Sequence, residues 1–256
     1  MKSLLIRADD IGYSEAVTAG IRSAYQNGIV KNAGIMVNMP YSKKAMRIVK
    51  QDVICFGLHV NLVVGKPCCS DLSKIPHLIH ENGMFISSAI RRSQLKEGLH
   101  PFPYNEVYIE IQEQIKTYIR YMGKLPEYID LHGVEDEIII KAVCDIASHY
   151  GILECPYTEH SLIKMPKEFP QHTFYQTKRP YVELFSKGFL SIPDGVSMMV
   201  THPGFIDETL IKTSSLIQDR IYEHAMLCDL EVKRWLIQNQ IQLVDYRSYR
   251  KYLKEI

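Results

Sequence analysis

A chain of 256 residues with 46 % hydrophobic composition can bury a substantial core, and an α/β barrel of this length forms one domain. Thirty basic against 29 acidic residues give a formal charge of +1, which leaves no global field to recruit nucleic acid or an anionic membrane. The amino-terminal apolar run is too short for a signal peptide, no stretch approaches a membrane span, and the six cysteines form no C-x-x-C pair, which together predict a cytoplasmic protein with reduced thiols.

Leu4 to Ala8 reads as a strand ending at the acidic pair Asp9-Asp10. Ser14 can cap a helix to about Gln26, with Val17, Ile21, Ala24 and Tyr25 on one stripe and Gly28 closing it. Ala33 to Val37 is the second strand, Ser42 to Val49 a helix, and Val53 to Leu58 a third strand delivering His59. This alternation argues for parallel crossover units. Residues 65–103, rich in Pro, Gly and Ser, read as a long excursion over one end of the core. A helix from Asn105 to Tyr121 turns Val107, Ile111, Ile115 and Ile119 inward, Tyr128 to Leu131 is a strand delivering His132, and Glu137 to His149 is a helix closed by Gly151. An irregular stretch follows over 156–179. Met198 to Thr201 is a strand ending in His202, one helix starts near Leu216 and carries Ala225 through Trp235, and Ile241 to Val244 is the last strand. The basic pairs Lys43-Lys44 and Arg91-Arg92 read as solvated helix surface. The pattern suggests a single domain, 1–256, built as a distorted or incomplete (β/α) barrel. An open doubly wound sheet is the alternative, although no glycine fingerprint supports it.

Asp9-Asp10, His59, His132 and His202 all fall at the carboxyl ends of expected strands. In barrels and open α/β sheets those ends form the rim where sites are built. One carboxylate and two imidazoles are a sound ligand set for a divalent ion. Each piece has a plainer explanation: an Asp pair can be a turn, a lone His a satisfied side chain, and Asp130-x-His132 a paired couple.

The segment Leu5-Ile-Arg-Ala-Asp-Asp-Ile-Gly-Tyr-Ser14 resembles the opening motif of the YdjC-like carbohydrate deacetylases, whose best-known activity is on chitin disaccharide. Gly57-Leu-His-Val-Asn-Leu62 with Gly65-Lys-Pro67, Ile129-Asp-Leu-His132, and Thr201-His-Pro-Gly-Phe-Ile-Asp207 resemble the later motifs in family order, and Tyr246-Arg247 resembles its terminus. The resemblance implies a polysaccharide-deacetylase-like distorted barrel and a divalent ion, usually described as magnesium. It implies Asp10, His59 and His132 as metal ligands, Asp9 as general base and His202 as acid or charge-stabilising partner. Two imidazoles also suit zinc, manganese or cobalt. A homodimer would fit such a family, with no interface identified by the sequence. Asp207 either orients His202 or caps the next turn.

The chain departs from the family pattern in two places. After His132 come Gly133-Val134-Glu135-Asp136, so Val134 and Asp136 replace a histidine-rich run, and Glu154 or Cys155 stands where an arginine is usual. Chitobiose specificity is therefore not transferred. Tyr13, Phe85, Phe102 and Tyr104 are candidates to stack on sugar rings, Tyr13 being the best placed and core packing the plainer role of the others. The leading expectation is removal of acetyl from an N-acetylated carbohydrate. The alternatives are action on another acylated sugar or a sugar phosphate, or a non-catalytic sugar-binding relative.

Overall fold

A computed structural model describes residues 2–154, 162–164, 181–183, 186 and 194–252. The irregular stretch expected over 156–179 lies outside these residues, except for 162–164, and so does Cys155. In chain order the main elements are β1 (Lys2–Ile11), α1 (Glu15–Asn27), β2 (Asn32–Ile35), α2 (Ser42–Val49), β3 (Cys55–Val60), α3 (Ser88–Lys96), α4 (Tyr104–Met122), β4 (Tyr128–Leu131) and α5 (Glu137–Tyr150). There follow β5 (Leu153–Glu154), β6 (Leu162–Lys164), β7 (Gly195–Thr201), α6 (Glu208–Thr213), α7 (Gln218–Leu227), α8 (Leu230–Gln238), β8 (Gln242–Val244) and α9 (Tyr246–Tyr252). The strand order is β5-β4-β3-β2-β1-β7-β6, with β8 also on β1. This alternation of parallel strands and helices gives the distorted (β/α) barrel class of the polysaccharide deacetylases. No helix among the described residues is long and apolar enough to cross a membrane.

By contacts the chain forms two compact units. The first comprises Met1–Ala33, Asp52–Cys55 and Glu159–Ile256. Residues 4–11 of β1 are all buried, as a central parallel strand requires. β1 pairs in parallel with β7 from Lys2↔Gly195 to Ala8↔Thr201, and with β8 from Ser3↔Gln242 to Leu5↔Val244. Ser14 caps α1 by accepting from the Val17 amide, and the helix buries Val17, Ile21 and Ala24. Gly20 is dictated by packing, because a Cβ there would lie 2.5 Å from the Cα of Gly204. The single helix expected after Leu216 is two helices, since Asp229 starts α8 by accepting from the Glu231 and Val232 amides. β1 also outruns the expected strand, continuing through Asp9 and Asp10 to Ile11.

The second unit comprises Gly34–Gln51 and Phe56–Thr158. β3 pairs in parallel with β4, placing His59 opposite Asp130. Gly57 allows the Tyr128 ring to lie over the strand, where a Cβ would come within 2.4 Å of it. β3 runs to Val60, so His59 belongs to the strand itself.

The excursion over 65–103 is pinned by α4. Glu106, Glu110 and Gln114, spaced four apart on one helical face, are all buried. Glu106 accepts from the His77 amide at 2.9 Å, and Glu110 from the amides of Cys68 and Cys69 at 2.9 and 2.8 Å. Arg91 corrects the expectation of a solvated pair. Only Arg92 is exposed, whereas Arg91 is 2 % exposed. Its guanidinium donates to the carbonyls of His77 and Pro101 and lies 4.8 Å over the Phe102 ring. Through its two terminal nitrogens this buried charge ties loop carbonyls together and holds the irregular segment in place.

Candidate metal centre

The geometry begins with the register of β3 and β4. Opposed residues on neighbouring strands share a face, so the His59 ring meets the Asp130 carboxylate. Nδ1 of His59 lies 2.8 Å from Oδ2 of Asp130, both fully buried. This contact fixes the ring and leaves Nε2 as the lone-pair nitrogen. His132 follows β4 two residues after Asp130, on the same face by strand periodicity. Its Nδ1 lies 3.1 Å from His59 Nε2, with the rings edge-on at 85°.

Two nitrogens 3.1 Å apart suit one ion. These two imidazoles would hold the ion, which would supply Lewis-acid chemistry there. The described residues thus contain a buried His/Asp cluster suitable for a divalent ion. The structure gives Asp130 a specific role that its spacing from His132 did not reveal: its partner is His59.

The strand end is held from behind. Gln114 donates to the Asn61 carbonyl at 2.7 Å and accepts from the Asn61 amide at 3.1 Å, replacing a missing strand partner. The Asn61 side chain accepts from the Val63 and Val64 amides and turns the chain away from β3.

In the first unit, Arg7 and Asp9 share a face of β1 and form a two-pronged ion pair, Nε–Oδ1 2.8 Å and Nη2–Oδ2 2.8 Å, with both residues buried. The pair favours the ionised form of Asp9. Asp10 has φ 85°, a backbone region costly for a residue with a Cβ. Its Oδ2 accepts from Arg220 Nη2 at 2.7 Å. His202 directly follows β7 and is half-buried. Its amide donates to Glu223, and its carbonyl lies 3.5 Å from Arg220 Nη1. Burial pushes Glu223 up to about 7, partly offset by the His202 amide and by Arg220. Asp207 resolves as a cap, accepting from the Leu210 amide at 2.9 Å and from the Ala16 amide at 2.9 Å. Tyr13 is 3 % exposed and its hydroxyl donates to the Thr213 carbonyl, so its ring is packed inside, as are those of Phe85 and Phe102.

A family model described as YdjC-like protein matches residues 3–238. The chain belongs to the YdjC-like family. The match contains Asp9, Asp10, His59, His132 and His202. A relative from Geobacillus stearothermophilus named carbohydrate deacetylase is 31 % identical, covering 96 % of this chain and 98 % of its own. A relative of the same name from Thermoanaerobacter pseudethanolicus is 29 % identical over the same shares. Among solved structures, an Enterococcus faecalis protein assigned provisionally to cellobiose-phosphate cleavage superposes with a TM-score of 0.81 at 24 % identity, covering 97 % of this chain and 98 % of that one. A peptidoglycan N-acetylglucosamine deacetylase shares the fold more distantly, with a TM-score of 0.50 at 11 % identity over 96 % of this chain and 86 % of that one.

Sequence reasoning missed Arg220, Glu223 and Gln114. Each is a polar residue on an otherwise amphipathic helix, and only burial distinguishes it from a solvated neighbour.

Proposed function

We propose that this YdjC-like protein is a divalent-metal-dependent hydrolase that removes an acetyl group from an N-acetylated carbohydrate such as a chitooligosaccharide, with residues 1–256 acting as one domain. The observation that carries the reading is the His59–His132 nitrogen pair, 3.1 Å apart and braced by Asp130. The names of the relatives, which cover nearly the whole chain, supply the substrate class. Asp10 is assigned as the third ligand, the role that the likeness of Leu5–Ser14 to the family's opening motif implies. Magnesium is the assigned ion, and zinc, manganese and cobalt are the competitors that two imidazoles admit.

When bound, a divalent ion supplies Lewis-acid polarisation of the acyl carbonyl and lowers the pKa of water. Asp9, held ionised by Arg7, accepts the proton of the attacking water. His202 donates a proton to the departing amine nitrogen, a role that suits an imidazole near neutral pH. Glu223 and Arg220 hold the backbone of His202 for that transfer. The net result is cleavage of the amide C–N bond to free acetate and the amine.

The test is acetate release from N-acetylated mono- and disaccharides by protein stripped with chelator and resupplied with each metal. Metal-restored acetate is expected, with Asp9→Asn remaining folded and losing about 10²–10⁴-fold in kcat. Metal binding without acetate from any sugar would contradict the reading and point to another acyl group or a sugar phosphate.

A further inference from the structure

We infer that Arg220 is a positioning residue that locks the Asp10 carboxylate and the His202 backbone into one fixed arrangement. The inference takes the roles of Asp10 and His202 from the function proposed above, but the clamp itself rests on geometry within the first unit. Arg220 is 2 % exposed, and its three nitrogens take three different acceptors. Nη2 meets Asp10 Oδ2 at 2.7 Å, Nε meets the Leu216 carbonyl at 3.0 Å, and Nη1 points to the His202 carbonyl at 3.5 Å. Glu223 lies one turn further along α7 and takes the His202 amide. Both backbone groups of His202 are therefore held from one face of one helix.

The glycine of Thr201-His-Pro-Gly204 makes room for this arm. A Cβ at Gly204 would lie 3.2 Å from Arg220 Cδ and 3.5 Å from its Cβ. The Gly204 amide also donates to the Arg220 carbonyl at 3.1 Å, and the Tyr13 ring lies 5.7 Å from the guanidinium. The motif thus carries a structural requirement beyond its histidine.

A buried ion pair is weak evidence for stability, because desolvation offsets its attraction. Orientation is the better explanation here. Asp10 sits at φ 85°, and a strained backbone persists only where its surroundings over-determine it. By engaging Oδ2, Arg220 fixes how the Asp10 carboxylate is presented. The planar fork spreads its donors over three nitrogens that match these three acceptors, whereas the donors of an ammonium all radiate from one nitrogen and do not reproduce that spacing.

Arg220→Lys separates these roles. Cobalt affinity, followed by the visible absorption of the bound ion, and hydrogen exchange of the His202 amide are measured on the full chain, with thermal melting as the folding control. The clamp predicts a folded variant whose cobalt dissociation constant rises about 10–100-fold and whose His202 amide exchanges faster. Gly204→Ala, which crowds the arm while leaving its charge, is the second variant and shifts both readings in the same direction. If both variants keep the cobalt constant and the His202 exchange rate within twofold of wild type, Arg220 is only a counter-ion and the inference is overturned. Wild-type protein that binds cobalt but releases no acetate would sink the deacetylase reading and leave the clamp to be judged by these two readings.

Discussion

Asp130 touches the back of the His59 ring, on the nitrogen opposite the one facing His132, so it governs how that imidazole is presented. A carboxylate in this position fixes the tautomer and raises the basicity of the coordinating nitrogen. Asp130→Asn keeps an acceptor of nearly the same shape but removes the charge. The expected result is a loss of metal affinity of about 10–100-fold with the fold retained, measured by calorimetric titration. Unchanged affinity would mean that packing alone orients His59. The two histidines were legible as isolated imidazoles at strand ends. The partner of His59 was not, because the contact spans 71 residues and depends on the β3–β4 register, which alternation of hydrophobicity does not encode. Arg91 failed for a related reason: an arginine in a basic pair looks solvated until the loop carbonyls that surround it are in place.

Among the elements, α4 shows how periodicity informs and where it stops. The expected apolar stripe is present, with Val107, Ile111 and Ile115 buried. The adjoining face bearing Glu106, Glu110 and Gln114 is buried as well, which sequence alone would assign to solvent. The excursion covers it, and Glu110 meets two backbone amides and the Gln114 amide there. Burial pushes Glu110 up to about 7 from an ordinary 4.5, only partly offset by those donors. The folded state therefore holds a proton more firmly than the unfolded chain. Its contribution to stability is complete below pH 4.5 and is lost as pH rises toward 7, a change on the order of 3 kcal/mol by linkage. Denaturant melts from pH 4.5 to 7.5 should show wild type losing stability relative to Glu110→Gln as pH rises, because the amide does not titrate. A difference that does not vary with pH would show that Glu110 does not titrate in this window. Boundaries failed where local capping intervened, as at Asp229, which splits one expected helix into α7 and α8.

For the molecule as a whole, the fold class was readable because each strand-to-helix change carried its own signal: Ser14 starting α1, Gly151 closing α5, and a compact apolar run for β4. The YdjC-like resemblance is borne out by the family match over residues 3–238, and from it come the strand-end residues proposed for the site. What neither could supply was the buried polar framework of Asn61, Gln114, Arg220 and Glu223, whose partners are set by tertiary packing. The proposed ligand set for the divalent ion is Asp10, His59 and His132. Equilibrium dialysis of the full chain against magnesium, manganese, cobalt and zinc tests it most directly, alongside Asp10→Ala, His59→Ala and His132→Ala. One ion per chain is expected for at least one of these metals, with affinity reduced at least about 10-fold in every variant. An ion bound as tightly after loss of any one of the three side chains would contradict it.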